Sequence, residues 1–233
     1  AMQEDLLTCL QENLRIPSVE DTPAEGAPYG IACRESLDHV LKAAQELDFR
    51  TENVDGHMGW CEYGEGEEMI AVLGHLDVVP AGDGWTVPPY EGVVADGKIF
   101  GRGTMDDKGP SIAALFALAA LRDSGLPLKR RVRILFGCNE ETGSQDVKYY
   151  LSKGGEVPVM GFTPDAEFPV INGEKETGVT TMQLDAGLDT GDMILKSITD
   201  ISPNETAGEL HDRLSNIGAD CLEQTMRLFI EGK

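Results

Sequence analysis

Basic residues are scarce in this chain: 19 lysines and arginines stand against 41 aspartates and glutamates in 233 residues, a formal charge of −22. That shortage argues against nucleic acid and anionic membrane as partners, since both call for a basic face. Long apolar runs are missing as well. No stretch approaches the roughly 20 residues that a membrane-spanning helix needs. The N-terminus, which opens inside a helical pattern, lacks the basic stretch and apolar core of a secretory signal. Cysteines are few and scattered, and Cys9, Cys33, Cys61, Cys138 and Cys221 form no CxxC pair. Such spacing speaks against a disulfide framework or a cysteine-rich zinc site, and for a reducing cytosol. Internal repeats and low-complexity tracts are also absent.

What the chain does contain is alternation of helical and strand patterns. Leu6, Leu7, Leu10 and Leu14 make one helical stripe, and Leu37, Val40, Leu41, Ala44 and Leu47 a second. Residues 69–73 form a short apolar run that stops at Gly74-His75, as a buried strand would. Residues 80–104 are rich in Gly and Pro, with a hairpin expected at Asp96-Gly97. A helix is predicted over 110–121, with Pro110 in its first turn, a strand over 131–136, a short helix over 144–151 and a strand over 157–162. The fold class that follows is α/β, a mixed, largely parallel sheet flanked by helices. The tail reads as a short β-turn-β, over 179–184 and 193–198, followed by a long helix starting at Asn204. Its apolar face would carry Leu210, Leu214, Ile217, Leu222, Met226 and Phe229.

Four clusters of carboxylates and imidazole follow strand-like runs, where open α/β sheets place their ligands. In Gly74-His75-Leu76-Asp77, side chains two apart on an extended segment point the same way. His75 could bind a metal through one ring nitrogen while Asp77 holds the other N–H; a strand-end histidine with a capping aspartate fits equally. Asp106 and Asp107 sit in a Gly-rich turn before a helix. They would either cap that helix, or Asp106 would bridge two ions. Glu140 and Glu141 open a helix, where they suit its dipole, or else one binds metal while the other faces a water. Asp165 alone is an ordinary turn residue. Taken together, the set fits zinc, manganese or cobalt. Two ions about 3.5–4 Å apart can clamp a water, and a free glutamate can take its proton.

At these clusters the chain resembles the dinuclear zinc peptidase family of aminoacylase, succinyl-diaminopimelate desuccinylase and carnosinase, and within it the dipeptidase V branch. The resemblance rests on EGAPYG at 25–30, GHLDVVPAGDGWTVPPYEG at 74–92, GRGTMDDKGP at 101–110, FGCNEETG at 136–143 and GFTPDAEFPVINGEK at 161–175. It implies a partial metallopeptidase catalytic domain over about residues 1–175. His75 and Asp165 would bind one metal and Glu141 the other, with Asp106 bridging. Glu140 would be the general base, and Asp77 would orient His75. An aspartate at 165 goes with dipeptidases and aminopeptidases, so a small peptide is the expected substrate. The family's second metal also takes a histidine from further along a longer domain, and a lid domain supplies another to the substrate; neither region is expected within these residues. His39, His57 and His211 match no motif. One ion held well, a weak second ion and low activity are therefore expected.

The tail, 176–233, resembles methionyl-tRNA formyltransferase instead, through residues 171–197 and through ISPNETAGELHDRL at 201–214. Asp189 would match that family's catalytic aspartate. The resemblance implies a chimera joined across residues 170–176, and leaves a formyltransferase fragment or a non-catalytic fold fragment as alternative readings.

Overall fold

The computed structural model describes residues 2–165, 176–182, 193–202 and 207–231. It divides into two compact units, Ala1–Val159 and Met160–Lys233.

The first unit opens with helices α1 (Met2–Leu14) and α2 (Ile31–Glu46). Burial of Cys33, Leu37, Val40, Leu41 and Ala44 gives α2 the one-sided apolar stripe that its sequence spacing predicts. Strands β1 (Arg50–Val54) and β2 (Met58–Tyr63) then form an antiparallel hairpin. Asp55 and Gly56 turn it with φ of 53° and 76°, and His57 N–H donates to Val54 O at 3.0 Å. Two successive left-handed residues make a type I′ turn, whose twist suits paired strands. β3 (Met69–His75) follows, then a small hairpin of β4 (Val93–Ala95) and β5 (Lys98–Phe100). The expected Asp96-Gly97 turn closes that hairpin, again with both residues at positive φ. Helix α3 (Lys108–Asp123), strand β6 (Arg131–Gly137) and helix α4 (Gln145–Ser152) complete the unit.

The main sheet of this unit runs β1-β2-β6-β3. β3 and β6 are parallel at its heart, and β2 is antiparallel to β6. Residues alternate between faces. Met58, Met69, Ala71 and Leu135 pack with Tyr150 and Val147 of α4, while on the other face Gly59 sits against Leu37 and Leu41 of α2. β3 and β6 are thus covered on both sides, and this explains the nearly unbroken apolar run of β3 and the apolar end of β6. The mixed α/β architecture expected from the sequence is the one observed.

Differences from the sequence reading have local causes. β1 and β2 carry no alternating apolar signal, because Arg50, Glu52 and Glu62 occupy them. The strand expected at 157–162 begins only at Met160, past Pro158, which has no N–H for a ladder. α3 starts earlier than predicted, at Lys108, and Pro110 stays within the first turn, where N–H groups lack helical partners anyway. Ser144 is left-handed (φ 50°), so α4 begins one residue later.

In the second unit, β7 (Met160–Phe162) precedes an antiparallel pair, β8 (Glu176–Met182) and β9 (Met193–Asp200), and then helix α5 (Ala207–Glu231). Among the described side chains of α5, Leu214, Cys221 and Thr225 are buried, and Thr181 Oγ1 meets Thr225 Oγ1 at 2.8 Å. Leu210, Leu222 and Met226, expected on the apolar face, are only half-buried. Asn204, the expected start of this helix, and the turn at 185–191 lie outside the described residues.

One buried cation joins the first and third helices. Lys108 is 0% exposed, and its Nζ donates to Asn13 O at 2.9 Å and Ile16 O at 2.7 Å, at the end of α1. Burial pushes its pKa down to about 7 from 10.5. The unfolded chain therefore keeps this proton between those values and the folded chain does not, so Lys108's contribution to stability rises with pH across that interval. Both tryptophans, Trp60 and Trp85, lie in the first unit, so their fluorescence follows its unfolding. In urea melts read this way, the stability of the wild type relative to Lys108→Met is expected to grow by about 2 kcal/mol from about pH 7 to about pH 9. A difference independent of pH would contradict this.

Candidate metal centre

β3 and β6 run in the same direction with His75 opposite Gly137, so their carboxyl ends open on one edge. Beyond β3, Leu76 N–H donates to Gly137 O at 2.8 Å, and Ser18 Oγ donates to Leu76 O at 2.6 Å. Val78 N–H returns to Ser18 O at 3.0 Å. The segment carrying His75 and Asp77 is thus held on both sides.

His75 is 2% exposed. Its Nδ1 lies 3.0 Å from the backbone oxygen of Asp77 and 3.4 Å from Asp77 Oδ1. A carbonyl oxygen only accepts, so Nδ1 carries the hydrogen. Nε2 then presents a lone pair, yet it faces Asp106 Oδ1 at 3.0 Å and Glu140 Oε2 at 3.9 Å. Two acceptors that close call for a cation to hold them, either a proton or a metal ion. Donors on one tetrahedral zinc, each about 2.0–2.1 Å away, are themselves about 3.3 Å apart. Ligand atoms of His75, Asp106 and Glu141 all lie within 4.8 Å of one another. One imidazole with two carboxylates therefore fits zinc, manganese or cobalt.

The carboxylates around this point differ in environment. Asp106 is half-exposed; when Nε2 of His75 also carries a proton, its hydrogen bond and charge hold the Asp106 carboxyl below the usual range, with Arg102 adding favourable charge. Glu141 is pushed up, first by burial and then by the negative charge of Asp106. Glu140 keeps a side chain that is 47% exposed, open to solvent above the buried histidine.

Asp77 ties these parts together. It is 1% exposed, and its Oδ1 accepts from Glu140 N–H at 3.2 Å while Oδ2 accepts from Glu141 N–H at 3.1 Å. One carboxylate thus faces the His75 ring and the backbone of both glutamates.

Asp107 departs from the capping role considered for it. At the N-cap position of α3 it makes no side-chain cap bond. Its Oδ2 accepts instead from His75 N–H at 3.1 Å and from Ser111 Oγ at 3.0 Å. Gly74 permits this approach, because a Cβ there would lie 2.1 Å from Ser111 Oγ and 2.6 Å from Asp107 Oδ2. In sequence Asp107 is indistinguishable from a helix cap, and only the crossing of α3 over β3 reveals its partner.

His75, Asp77, Asp106, Glu140 and Glu141 are therefore brought together within the first unit. Asp165 stands in the second unit, just past β7, half-buried, with its N–H donating to Thr163 Oγ1 at 3.3 Å. His39 pairs with Asn13 and Glu12, His57 stacks on Tyr149 at 3.6 Å, and His211 lies on α5. None of the three joins a candidate ligand group among the described residues.

Residues 71–225 match the model of peptidase family M20/M25/M40. The chain belongs to that family. YtjP of Bacillus subtilis (strain 168), provisionally named a dipeptidase, is 47% identical over 175 residues, covering 74% of this chain and 38% of YtjP. SA1572 of Staphylococcus aureus (strain N315), with the same provisional naming, is 42% identical over 184 residues, 78% of this chain and 39% of its own. The chain thus spans about two fifths of the length of these relatives. Human carnosine dipeptidase 1 superposes with a TM-score of 0.61 at 24% identity, over 76% of this chain and 41% of that one. Dug1p, a dipeptidase of Saccharomyces cerevisiae, gives 0.62 at 18% identity, over 78% and 41%. At such identities these two establish the M20 fold alone. The family match continues to residue 225, through most of the stretch resembling a formyltransferase, and lends that second resemblance no support. Asp189 and residues 170–175 of the supposed junction lie outside the described residues.

Asp77 faces both the His75 ring and the backbone of the Glu140–Glu141 turn. Asp77→Ala should remove the acceptor of two buried N–H groups and lower the stability of the first unit by about 2–4 kcal/mol. It should also weaken divalent metal binding by about 10–100-fold. Urea melts and metal titration of the same preparation check both, and wild-type metal affinity in the variant would contradict the role.

Proposed function

We propose that this chain carries the metal-binding part of a dipeptidase-type M20 hydrolase, which cleaves the amide bond of a small peptide. The observation that carries this reading is the lone pair of His75 Nε2 facing Asp106 at 3.0 Å, with Glu141 within ligand distance. The provisional dipeptidase names of YtjP and SA1572 support the choice of substrate class.

In this reading His75 and Asp165 hold one ion, Glu141 the second, and Asp106 lies between them; zinc is favoured, with manganese or cobalt as substitutes. Bound there, such ions would polarise the scissile carbonyl and lower the pKa of an attacking water. Glu140, exposed and close to His75 Nε2, takes the proton from that water and returns it to the leaving amine. Asp77 keeps the His75 ring in the tautomer that turns Nε2 toward the substrate side. Five unpaired, buried cysteines suit a cytoplasmic setting, and the charge of −22 suits neither nucleic acid nor anionic membrane as partner. Formyl transfer forms no part of it.

Two experiments test the proposal. Calorimetric titration with zinc should show binding that is lost in His75→Ala. That binding should weaken as pH falls, beginning above the ordinary carboxylate range, because a raised Glu141 takes up its proton early. Glu141→Ala should bind more weakly and flatten this part of the profile. Unchanged binding in His75→Ala would sink the metal centre. In dipeptide hydrolysis assays with zinc or manganese, Glu140→Gln should keep metal binding while losing about 10²–10⁴-fold of whatever turnover the chain has. Equal turnover in variant and wild type would remove Glu140 from the role of base.

A further inference from the structure

Strand β6 ends at Gly137, and eight residues later the chain enters α4. The turn between them carries Glu140 and Glu141, and nearly all of its backbone N–H groups have named acceptors. Gly143 N–H donates to Glu140 O at 3.2 Å, Ser144 N–H to Asn139 O at 2.7 Å, and Gln145 N–H to Asn139 Oδ1 at 3.0 Å. Glu140 and Glu141 N–H go to Asp77. The first two, Cys138 N–H and Asn139 N–H, both go to Asp146 Oδ2, at 2.7 and 3.0 Å. The other oxygen of Asp146 accepts from Val147 N–H at 2.7 Å.

Asp146 is unlike an ordinary acid in a helix's first turn, which points to solvent. It is 1% exposed and reaches back across the turn to the strand end. Space is left for it there, since a Cβ on Gly137 would lie 2.6 Å from Asp146 Oδ2. Burial pushes its carboxyl above the usual range, so its charge is costly to keep and is retained by the three N–H donors. The turn is therefore clasped at both ends by buried carboxylates, Asp77 on the His75 side and Asp146 on the α4 side.

We propose that Asp146 is a positioning residue of the metal centre: by fixing Cys138 and Asn139 where β6 ends, it sets where Glu140 and Glu141 point. The inference rests on the metal-centre reading above. Asp146 acts through the backbone of the turn, by way of Cys138 and Asn139. Two carboxylate oxygens serve two sides, the turn and the start of α4. An amide at this position offers one neutral acceptor, so one side loses its bond and the other loses its charge assistance.

Cobalt(II) titration of the whole chain, followed by visible absorption, tests this. Wild type is expected to bind with a ligand-field spectrum that is absent in His75→Ala. Asp146→Ala, folded by circular dichroism and tryptophan fluorescence, should bind about 10–100-fold more weakly and with an altered spectrum. Asp146→Asn, nearly the same size, should show the same spectral change with a smaller loss, and it decides the matter if the alanine variant does not fold. A role confined to starting α4 would lower stability but leave the cobalt spectrum of folded protein unchanged. A folded Asp146 variant with wild-type affinity and spectrum would overturn the inference while leaving the metal centre intact. Failure of wild type to bind cobalt, or equal binding by His75→Ala, would bring down the metal centre and this inference with it.

Discussion

The Asp77 carboxylate is the constraint on which the site depends. It is buried, it faces the Nδ1 side of His75, and each of its oxygens takes a backbone N–H from the Glu140–Glu141 turn. β3 and β6 are neighbours through ladder hydrogen bonds, but a ladder only aligns backbones. Asp77 converts that alignment into a relation between an imidazole and two glutamates. An unpaired carboxylate with this burial would be expensive, so the turn that satisfies it is as necessary to Asp77 as Asp77 is to the turn.

Around this point, other buried polar groups do comparable work. Asp107 fixes the backbone of His75 to the start of α3, which carries Asp106 at its approach. Lys108 ties the same helix to the end of α1. The result concentrates negative charge in a small region: Asp77, Asp106, Asp107, Glu140 and Glu141 surround one histidine. Arg102 adds favourable charge to Asp106 from the Gly-rich turn. A divalent ion would complement such a region.

Much of this was readable from sequence, for particular reasons. Covered strands left a continuous apolar run at 69–73 and an alternating segment with an apolar end at 131–136, and the acids followed soon after them. Asp96-Gly97 announced its hairpin because few residues tolerate two successive positive φ angles. The β1–β2 hairpin escaped, since its inward residues include Gly59 and Glu62, the latter buried against Arg131 and Arg133. Asp107, Asp146 and Lys108 escaped for a related reason. A charged side chain is ordinarily on the surface, and nothing in the local pattern shows that Lys108 and Asp107 find partners tens of residues away, or that Asp146 turns back to the end of β6. Asp165 was named through family resemblance, and its place in the centre still belongs to the proposal.

The central claim is that His75, Asp106 and Glu141 belong to one metal centre, His75 holding one ion and Glu141 the second. Diffraction from crystals grown with zinc, collected on both sides of the zinc absorption edge, tests it most directly. The account predicts an anomalous peak about 2.0–2.2 Å from His75 Nε2 and from a carboxylate oxygen of Asp106, with Glu141 on the same cluster. Zinc found elsewhere on the chain, with His75 Nε2 bonded only to the Asp106 carboxylate through a proton, would contradict it.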